Sequence, residues 1–365
     1  VSDSADFQKN IFFEWVIGTS YLELKESNLK KDDGLYGDPS DPYGPYASAS
    51  SSSSKYKSSN FSVFGNLDYL LSASLKFSIG LRWEDWEADY SDSLQESFNP
   101  TDKMSGGKIS LIKNMTNDTN IYASLAKGYK QGGFNLGLGL DANATNKNLA
   151  YDPEFLTNYE LGINTKLLDS RITFNGVLFY SDREDQQVLI STQTDPSDPN
   201  TFSFLTQNAA EGVNHGLEIN MDMGINQSLS AFVNLGILKT EIKNWQSRQD
   251  LEGRAQAHAP ERSYALGLNW APTSHTYLAI DFTGKSSFYY SDSHNNKSKS
   301  YVLTNLNLGY VKNNWNYELW ARNIFDEYYS VRGFYFGNEA PNFIDTLYER
   351  HGDPRHIGVS IRYDF

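Results

Sequence analysis

Cysteine is absent from all 365 residues. That removes disulfides, thiolate nucleophiles and every zinc site that needs sulfur. Long apolar runs are missing too, since no stretch approaches the ~18 consecutive apolar residues of a membrane-crossing helix. Basic charge is scarce: 31 Lys and Arg against 45 Asp and Glu leave a net charge of −14. A surface built to neutralise nucleic-acid phosphates is therefore excluded. The six histidines are scattered, and none of His215, His258, His275, His294, His351 and His356 falls at metal-helix spacing. Aromatics, by contrast, are plentiful, with 24 Tyr, 21 Phe and 7 Trp in a chain only 39% hydrophobic. A polar chain rich in aromatics fits the one membrane architecture that hides its apolarity in alternation, the transmembrane β-barrel.

Alternation is the dominant pattern. Ile357, Val359, Ile361, Tyr363 and Phe365 alternate with His356, Gly358, Ser360, Arg362 and Asp364. The same split separates Leu75, Phe77, Ile79, Leu81 and Trp83 from Lys76, Ser78, Gly80, Arg82 and Glu84. Period two means strand. The pattern recurs in about fourteen segments, many of ~10 residues or more, the length of a tilted bilayer span. Helical periodicity is almost absent.

The connections alternate as well. Short links such as SAS (72–74), NMTND (114–118), LDS (168–170), INQS (225–228), APTS (271–274) and KNN (312–314) separate long polar ones near 26–58, 90–104, 132–152, 192–202, 246–258, 290–299 and 328–352. An up-and-down antiparallel barrel of the outer membrane has this asymmetry, with tight periplasmic turns and long extracellular loops. The parity places both chain ends on the periplasmic side. Segment 26–58, with its low-complexity PYGPYASASSSSSKYKSS tract, reads as a long extracellular loop. Aromatics near strand ends read as girdles, with Trp83, Trp86, Tyr90, Tyr129, Tyr180, Tyr289, Tyr290, Tyr328 and Tyr329 at the outer rim. Trp270, Tyr277, Tyr310, Trp315, Tyr363 and Phe365 fall at the inner one.

Motifs of catalysis fail in context. GLGLDA (137–142) fits a dinucleotide fingerprint, but no helix or parallel βαβ unit follows it. GDPSDP and TDPSDP, with Asp38, Asp41, Asp195 and Asp198, are broken by Pro and read as turns rather than calcium loops. No Gly-x-Ser-x-Gly elbow is present. Lys76, Arg82, Glu84, Glu160, Glu218, Asp222, Asp281, Glu318 and Arg322 fall on the wet face, and charge this dense suits a wide lumen.

Several stretches resemble the C-terminal barrel of the TonB-dependent outer-membrane receptors. They are YASLAKGYKQGGFN (122–135), YDPEFLTNYELGINTK (151–166), QNAAEGVNHGLEIN (207–220), APERSYALGLNW (259–270), ARNIFDEYY (321–329) and GDPRHIGVSIRYDF (352–365). They occur in that family's order. The resemblance implies an all-β transmembrane barrel of about 22 strands around a plug, of which about 14 strands are present. Residues 1–365 would then be the C-terminal portion, with the plug and first strands absent. The opening VSDSADFQKN carries no signal peptide, consistent with a processed or excised chain. The alternative is closure as a smaller barrel of about 14 strands, a passive pore.

By the same resemblance, the function is TonB-dependent uptake of a scarce nutrient, foremost a ferric siderophore, with haem, cobalamin or an oligosaccharide behind it. No catalysis and no resident cofactor are expected. The implied partners are the TonB energy-transducing complex, the outer-membrane assembly machinery, the lipid bilayer with its lipopolysaccharide, and a small-molecule ligand. Tyr363 and Phe365 look like the family's assembly signal. For the ligand, loop 328–352 sets Arg332, Arg350 and His351 among Phe334, Tyr335 and Phe336, and Tyr289, Tyr290 and His294 lie on the neighbouring loop. Arginine among aromatics in a chain this acidic suits an anionic chelate.

Overall fold

The computed structural model describes residues 13–36, 46–93, 96–135, 150–193, 202–245, 248–292, 294–336, 344 and 346–365. Among them are nineteen strands and one 3-10 turn, Gln249–Leu251. The first strands are β1 (Phe13–Tyr36), β2 (Tyr46–Ser72), β3 (Leu75–Asp92), β4 (Ser97–Phe98), β5 (Thr101–Asn114), β6 (Thr119–Lys130), β7 (Gly133–Phe134), β8 (Ala150–Tyr151) and β9 (Glu154–Leu167). There follow β10 (Ile172–Gln193), β11 (Phe202–Asn226), β12 (Leu229–Asn244), β13 (Arg262–Thr273), β14 (Thr276–Lys285), β15 (Tyr301–Lys312), β16 (Trp315–Arg322), β17 (Ser330–Phe336), β18 (Thr346–His351) and β19 (His356–Tyr363). No helix of the described residues is long and apolar enough to cross a membrane.

One antiparallel meander orders the sheet as β1-β2-β3-β5-β6-β9-β10-β11-β12-β13-β14-β15-β16-β19, with β4 beside β3. Fourteen strands thus lie on the path, as the alternation predicts. β1 and β19 are its ends, so the described residues form an open barrel wall. The tight turns fall where the short links were read. β17–β18 and β7–β8 are small separate hairpins within the long connections.

Each strand has two faces. Leu81, Ile109, Leu161, Ile237, Leu308, Val359 and Ile361 are exposed on the apolar one, the side that meets lipid in such a barrel. The other face carries polar networks. Glu84, for example, accepts bonds from Arg82 Nε (2.8 Å), Tyr129 Oη (3.0 Å) and Asn60 Nδ2 (2.5 Å).

Aromatic rings on the polar face lie flat against glycines directly opposite them on the next strand. Tyr277 faces Gly309, Tyr122 faces Gly162, Phe232 faces Gly267 and Trp320 faces Gly358. In each pair a Cβ on the glycine would come within 2.0–2.3 Å of the ring. Only glycine leaves that room. Tyr277 crosses Gly309 to donate to Glu318 Oε2 on β16 (2.7 Å). The glycines, weak strand formers on their own, gain cross-strand packing, and the rings take little space from the lumen.

Three sequence expectations change. Segment 26–58 reads as a loop, yet β1 continues to Tyr36 and β2 begins at Tyr46, paired from Glu26↔Tyr56 up to Tyr36↔Tyr46. Beyond lipid a strand needs no apolar alternation, so a Ser- and Lys-rich hairpin pairs its backbone without the pattern that reveals the lower strands. Trp86, Tyr90, Tyr129 and Tyr290 are not girdle residues. Trp86 (2% exposed), Tyr90 and Tyr290 are buried, and the Tyr129 hydroxyl bonds Arg82 and Glu84 on the polar face. Tyr277 likewise leaves the inner girdle for Gly309. Trp83, Tyr180, Tyr328, Trp270, Tyr310, Trp315 and Tyr363 do stay exposed. GLGLDA and the two Asp-Pro tracts lie outside the described residues.

Candidate ligand-binding surface

The long connections after β12, β14 and β16 meet in one cluster, anchored by Arg254. Its guanidinium is buried and gives Nη1 to the His294 carbonyl (3.0 Å) and Asn295 Oδ1 (2.9 Å), and Nη2 to the Ser291 carbonyl (3.1 Å) and Asp292 Oδ1 (2.8 Å). It also lies 4.4 Å from the Tyr289 ring centroid, against which Lys297 Nζ packs at 4.2 Å. A planar fork with five donors suits this task, since one side chain then ties one loop to four points of another.

The β17–β18 hairpin docks on this platform by one face. Tyr290 lies against Gly333 and donates its hydroxyl to Glu349 Oε1. Asn296 Nδ2 donates to Tyr335 Oη (2.8 Å), and the His294 ring stands edge-on to Tyr335 at 5.1 Å. Burial pushes the Tyr290 phenol up to about 12, helped by Glu349, so it stays protonated as the donor. Burial lowers the pKa of His294, with Arg254 acting in the same direction and the Gly333 backbone opposing. At the hairpin's base His351 is bracketed by Tyr328 Oη on Nε2 (2.6 Å) and Ser330 Oγ on Nδ1 (3.1 Å).

The other hairpin face is open. Arg332 lies directly opposite Arg350, and Phe334 opposite Tyr348. Phe334 and Tyr348 stack with centroids 5.9 Å apart at 24°. Both arginines are exposed, and neither has an ion-pair partner among the described residues. Like charges opposite each other on a strand pair are destabilising without a counter-charge. Two such guanidinium groups side by side are chemically able to bond an anion between them.

The residues read from the sequence therefore divide. Arg332, Arg350 and Phe334 share the open face, whereas Tyr335, Tyr290 and His294 hold the docked face. Tyr289 packs against cations, and His351 braces the base. Arg254, and the part of Glu349 as acceptor from Tyr290, are not legible in the sequence, because hairpin register and loop contact are not periodic properties.

A second aromatic cluster was also missed, on the polar face of β2, β3 and β5. Trp86, Ala88 and Met104 are buried, with Tyr56, Tyr129 and Phe134 packed on them. Phe134 also meets Tyr90 (5.4 Å) and Phe98 (5.3 Å). A cavity of about 300 Å³ opens there, lined by Tyr56, Trp86, Tyr90, Phe134, Tyr151 and Glu26 among others. Parity was the available signal, since Trp86 and Tyr90 alternate in step with Arg82 and Glu84. No group of three or more His, Asp or Glu among the described residues is placed to hold a metal ion.

Compared with known proteins, residues 2–324 match the family described as TonB dependent receptor-like, beta-barrel. The chain belongs to this family. TonB-dependent receptor barrels are proteins of the bacterial outer membrane. The pesticin receptor of Yersinia pestis is 23% identical over 267 residues, covering 71% of this chain and 36% of that protein. Among solved structures, the ferric yersiniabactin uptake receptor of Yersinia pestis superposes with a TM-score of 0.72 at 19% identity, covering 96% of this chain and 51% of that one. A siderophore receptor of Acinetobacter baumannii gives 0.70 at 17%, covering 96% and 52%. The chain thus spans about a third of the curated relative and about half of the solved structures it matches. Those neighbours are receptors by name, and a free-standing small pore has no support among them.

Proposed function

We propose that this chain is the C-terminal portion of a receptor barrel of about 22 strands, and that the receptor takes up a ferric siderophore through the outer membrane by TonB-driven transport. The open ends at β1 and β19 support the first part, because barrels abolish free edges by closure. Long connections then face the outside and both ends of this chain face the periplasm. The assembly machinery reads the end of the chain at Tyr363 and Phe365. Energy comes from TonB through parts of the receptor other than this wall. The role is capture and passage rather than catalysis.

One observation carries the ligand class: Arg332 opposite Arg350, beside the Phe334–Tyr348 stack. Two guanidinium groups without carboxylate partners among the described residues and a pair of aromatic faces suit an anionic chelate with a planar part. The names of the neighbours agree with that class, including a ferric citrate transporter, although one neighbour is a copper transporter. The test is binding of radiolabelled ferric complexes to intact cells that display the full receptor. Arg332→Ala with Arg350→Ala should lower affinity for the cognate complex by at least about tenfold at unchanged surface abundance. Unchanged binding at equal abundance overturns the site.

A further inference from the structure

The aromatic cluster on the polar face of β2, β3 and β5 takes no part in the anion-binding hairpin. Strand register builds it. One cross-strand row runs Glu26↔Tyr56, Tyr56↔Tyr90 and Tyr90↔Phe98, so four strands set a carboxylate and three rings side by side. The β7–β8 hairpin adds Phe134 and Tyr151. Tyr56 and Tyr90 are inclined to the Phe134 ring by 50° and 52°, at centroid distances of 6.1 and 5.4 Å, while Phe98 backs it in a stack at 5.3 Å and 14°. Rings at such angles wall a box rather than close into a stack. Tyr151 lies against Gly133, where a Cβ would meet its ring at 2.8 Å. The cavity of about 300 Å³ beside these rings is at the lower end of the range that holds small organic ligands. Its hairpin wall is pinned at both ends. Gly132 N–H donates to Asp102 Oδ2 (3.1 Å), and the Asn135 side chain bonds the Thr206 backbone both ways (2.8 and 2.6 Å). A site fixed in this way loses little freedom on binding.

Charge in this box has one sign. Glu26 lines it, without an ion-pair partner among the described residues. The Tyr90 hydroxyl donates to Asp92 Oδ2 (3.0 Å), which sets a second carboxylate beside that ring. No lysine or arginine lines the cavity among the described residues. Lys25, Lys55 and Lys57 are next to Glu26 and Tyr56 in sequence and so point to the other face of the hairpin, where Lys25 and Lys57 pair with Glu23. Lys30, on the face of Glu26, stands further along the strand, outside the lining. Ring faces are the negative side of an aromatic side chain, and several of them with one carboxylate favour a weakly hydrated cation. A methylated ammonium group is such a cation, whereas an anion would meet Glu26 unopposed. The chemistry is the reverse of that at Arg332 and Arg350, whose hairpin lies between β16 and β19 at the other end of the strand order.

We propose that this cavity binds a free quaternary ammonium cation, its methylated head against Tyr56, Phe134 and Tyr151 and its charge balanced by Glu26. The site does not depend on the transported ligand. Binding of radiolabelled choline to the full receptor in non-ionic detergent is measured by equilibrium dialysis against protein-free micelles. Two competitors separate the chemistry and the source. Neohexyl alcohol carries tert-butyl in place of the trimethylammonium head, and glycerophosphocholine carries that head as a lipid does, with a phosphate attached. Choline should fill one site at least about tenfold more tightly than either. Glu26→Gln should weaken choline about fivefold and leave neohexyl alcohol unchanged. Tyr56→Leu keeps an apolar side chain without a ring and should weaken choline about tenfold, whereas Tyr56→Phe keeps the ring and should bind as the wild type does. Correct folding of each variant is checked by its heat-dependent gel mobility. Neohexyl alcohol equal to choline would mean an apolar pocket only, and glycerophosphocholine equal to choline a headgroup site. Either result, absence of choline binding, or indifference to Tyr56→Leu overturns the proposal. Binding of ferric complexes to the same variants, measured on cells, should stay at wild-type level, so failure of this site and failure of the uptake reading are separate results.

Discussion

Tyr290 donates its phenolic proton to Glu349 across the junction between the loop after β14 and the β17–β18 hairpin. The bond lies directly behind Gly333, on the face opposite Arg332 and Arg350, so the residues that dock the hairpin are distinct from those it displays. Tyr290→Phe should loosen the hairpin by about 1 kcal/mol, since Glu349 is exposed enough to regain water. Hydrogen exchange of 330–336 and 346–351 should quicken about fivefold, with exchange of β12 to β16 unchanged. Equal rates in both proteins would show that the contact does not hold the hairpin.

Acid should undock the same hairpin through His294. Burial lowers its pKa, with the Arg254 guanidinium acting the same way and the Tyr335 ring packed edge-on against it. A histidine whose pKa is lowered on docking contributes stability that is complete above about pH 6.5, the ordinary value. That contribution fades as pH falls below it, because the released ring takes up the proton first. Limited proteolysis between pH 5 and 8 should show the hairpin more readily cut at the acid end, and His294→Gln should flatten the profile.

The ring-on-glycine pairs give a stability test inside the wall. Gly309→Ala places a methyl group 2.0 Å from the Tyr277 ring, so the ring must leave and its bond to Glu318 is lost. Overpacking of this kind costs about 1–3 kcal/mol, read as a lower urea midpoint in lipid vesicles. In a Tyr277→Ala background the same Gly309→Ala change should be nearly silent. Additive effects would show that ring and glycine act independently.

At the end of the chain, Tyr363 meets Trp315 at 4.8 Å and Phe365 at 5.1 Å. All three rings lie on the apolar face. Replacing Tyr363 and Phe365 by Asp puts charge near the membrane boundary, at a cost of up to about 1 kcal/mol to the folded barrel. Assembly should nevertheless fall much further than so small a cost implies, because the exposed aromatic end is what the insertion machinery would read. Wild-type surface abundance of the double variant would contradict this.

What the sequence made legible follows from where lipid imposes a pattern. Ile357, Val359 and Ile361 alternate because one face must be apolar, and that requirement fixes strand, face and approximate length together. Strand count and the short-turn parity follow from it. Above the lipid the requirement lapses, and β1 and β2 run on through Ser50 to Ser54 with no alternation to announce them. The site is harder still. Arg332 and Arg350 are near each other in sequence, but only the register of a small hairpin puts them opposite one another, and only contact with Tyr290 and His294 decides which face is free. Trp86 is hard to place for a simpler reason: it lies near a strand end, where aromatics read as a girdle, and only its parity with Glu84 puts it on the polar face.

The long β1–β2 hairpin has a geometric consequence. Its 24 residues per side span ~80 Å of strand at ~3.3 Å per residue. Tilted at ~45°, that is ~55 Å of height, against an apolar band only ~25 Å tall. In the proposed orientation, some 30 Å of hairpin stands above the bilayer like a mast. Large particles such as antibodies would touch its Lys30 and Lys31 before they reach the barrel mouth, while a small chelate passes beside it. An epitope spliced beside Tyr36 would thus report surface display without obstructing the Arg332–Arg350 face.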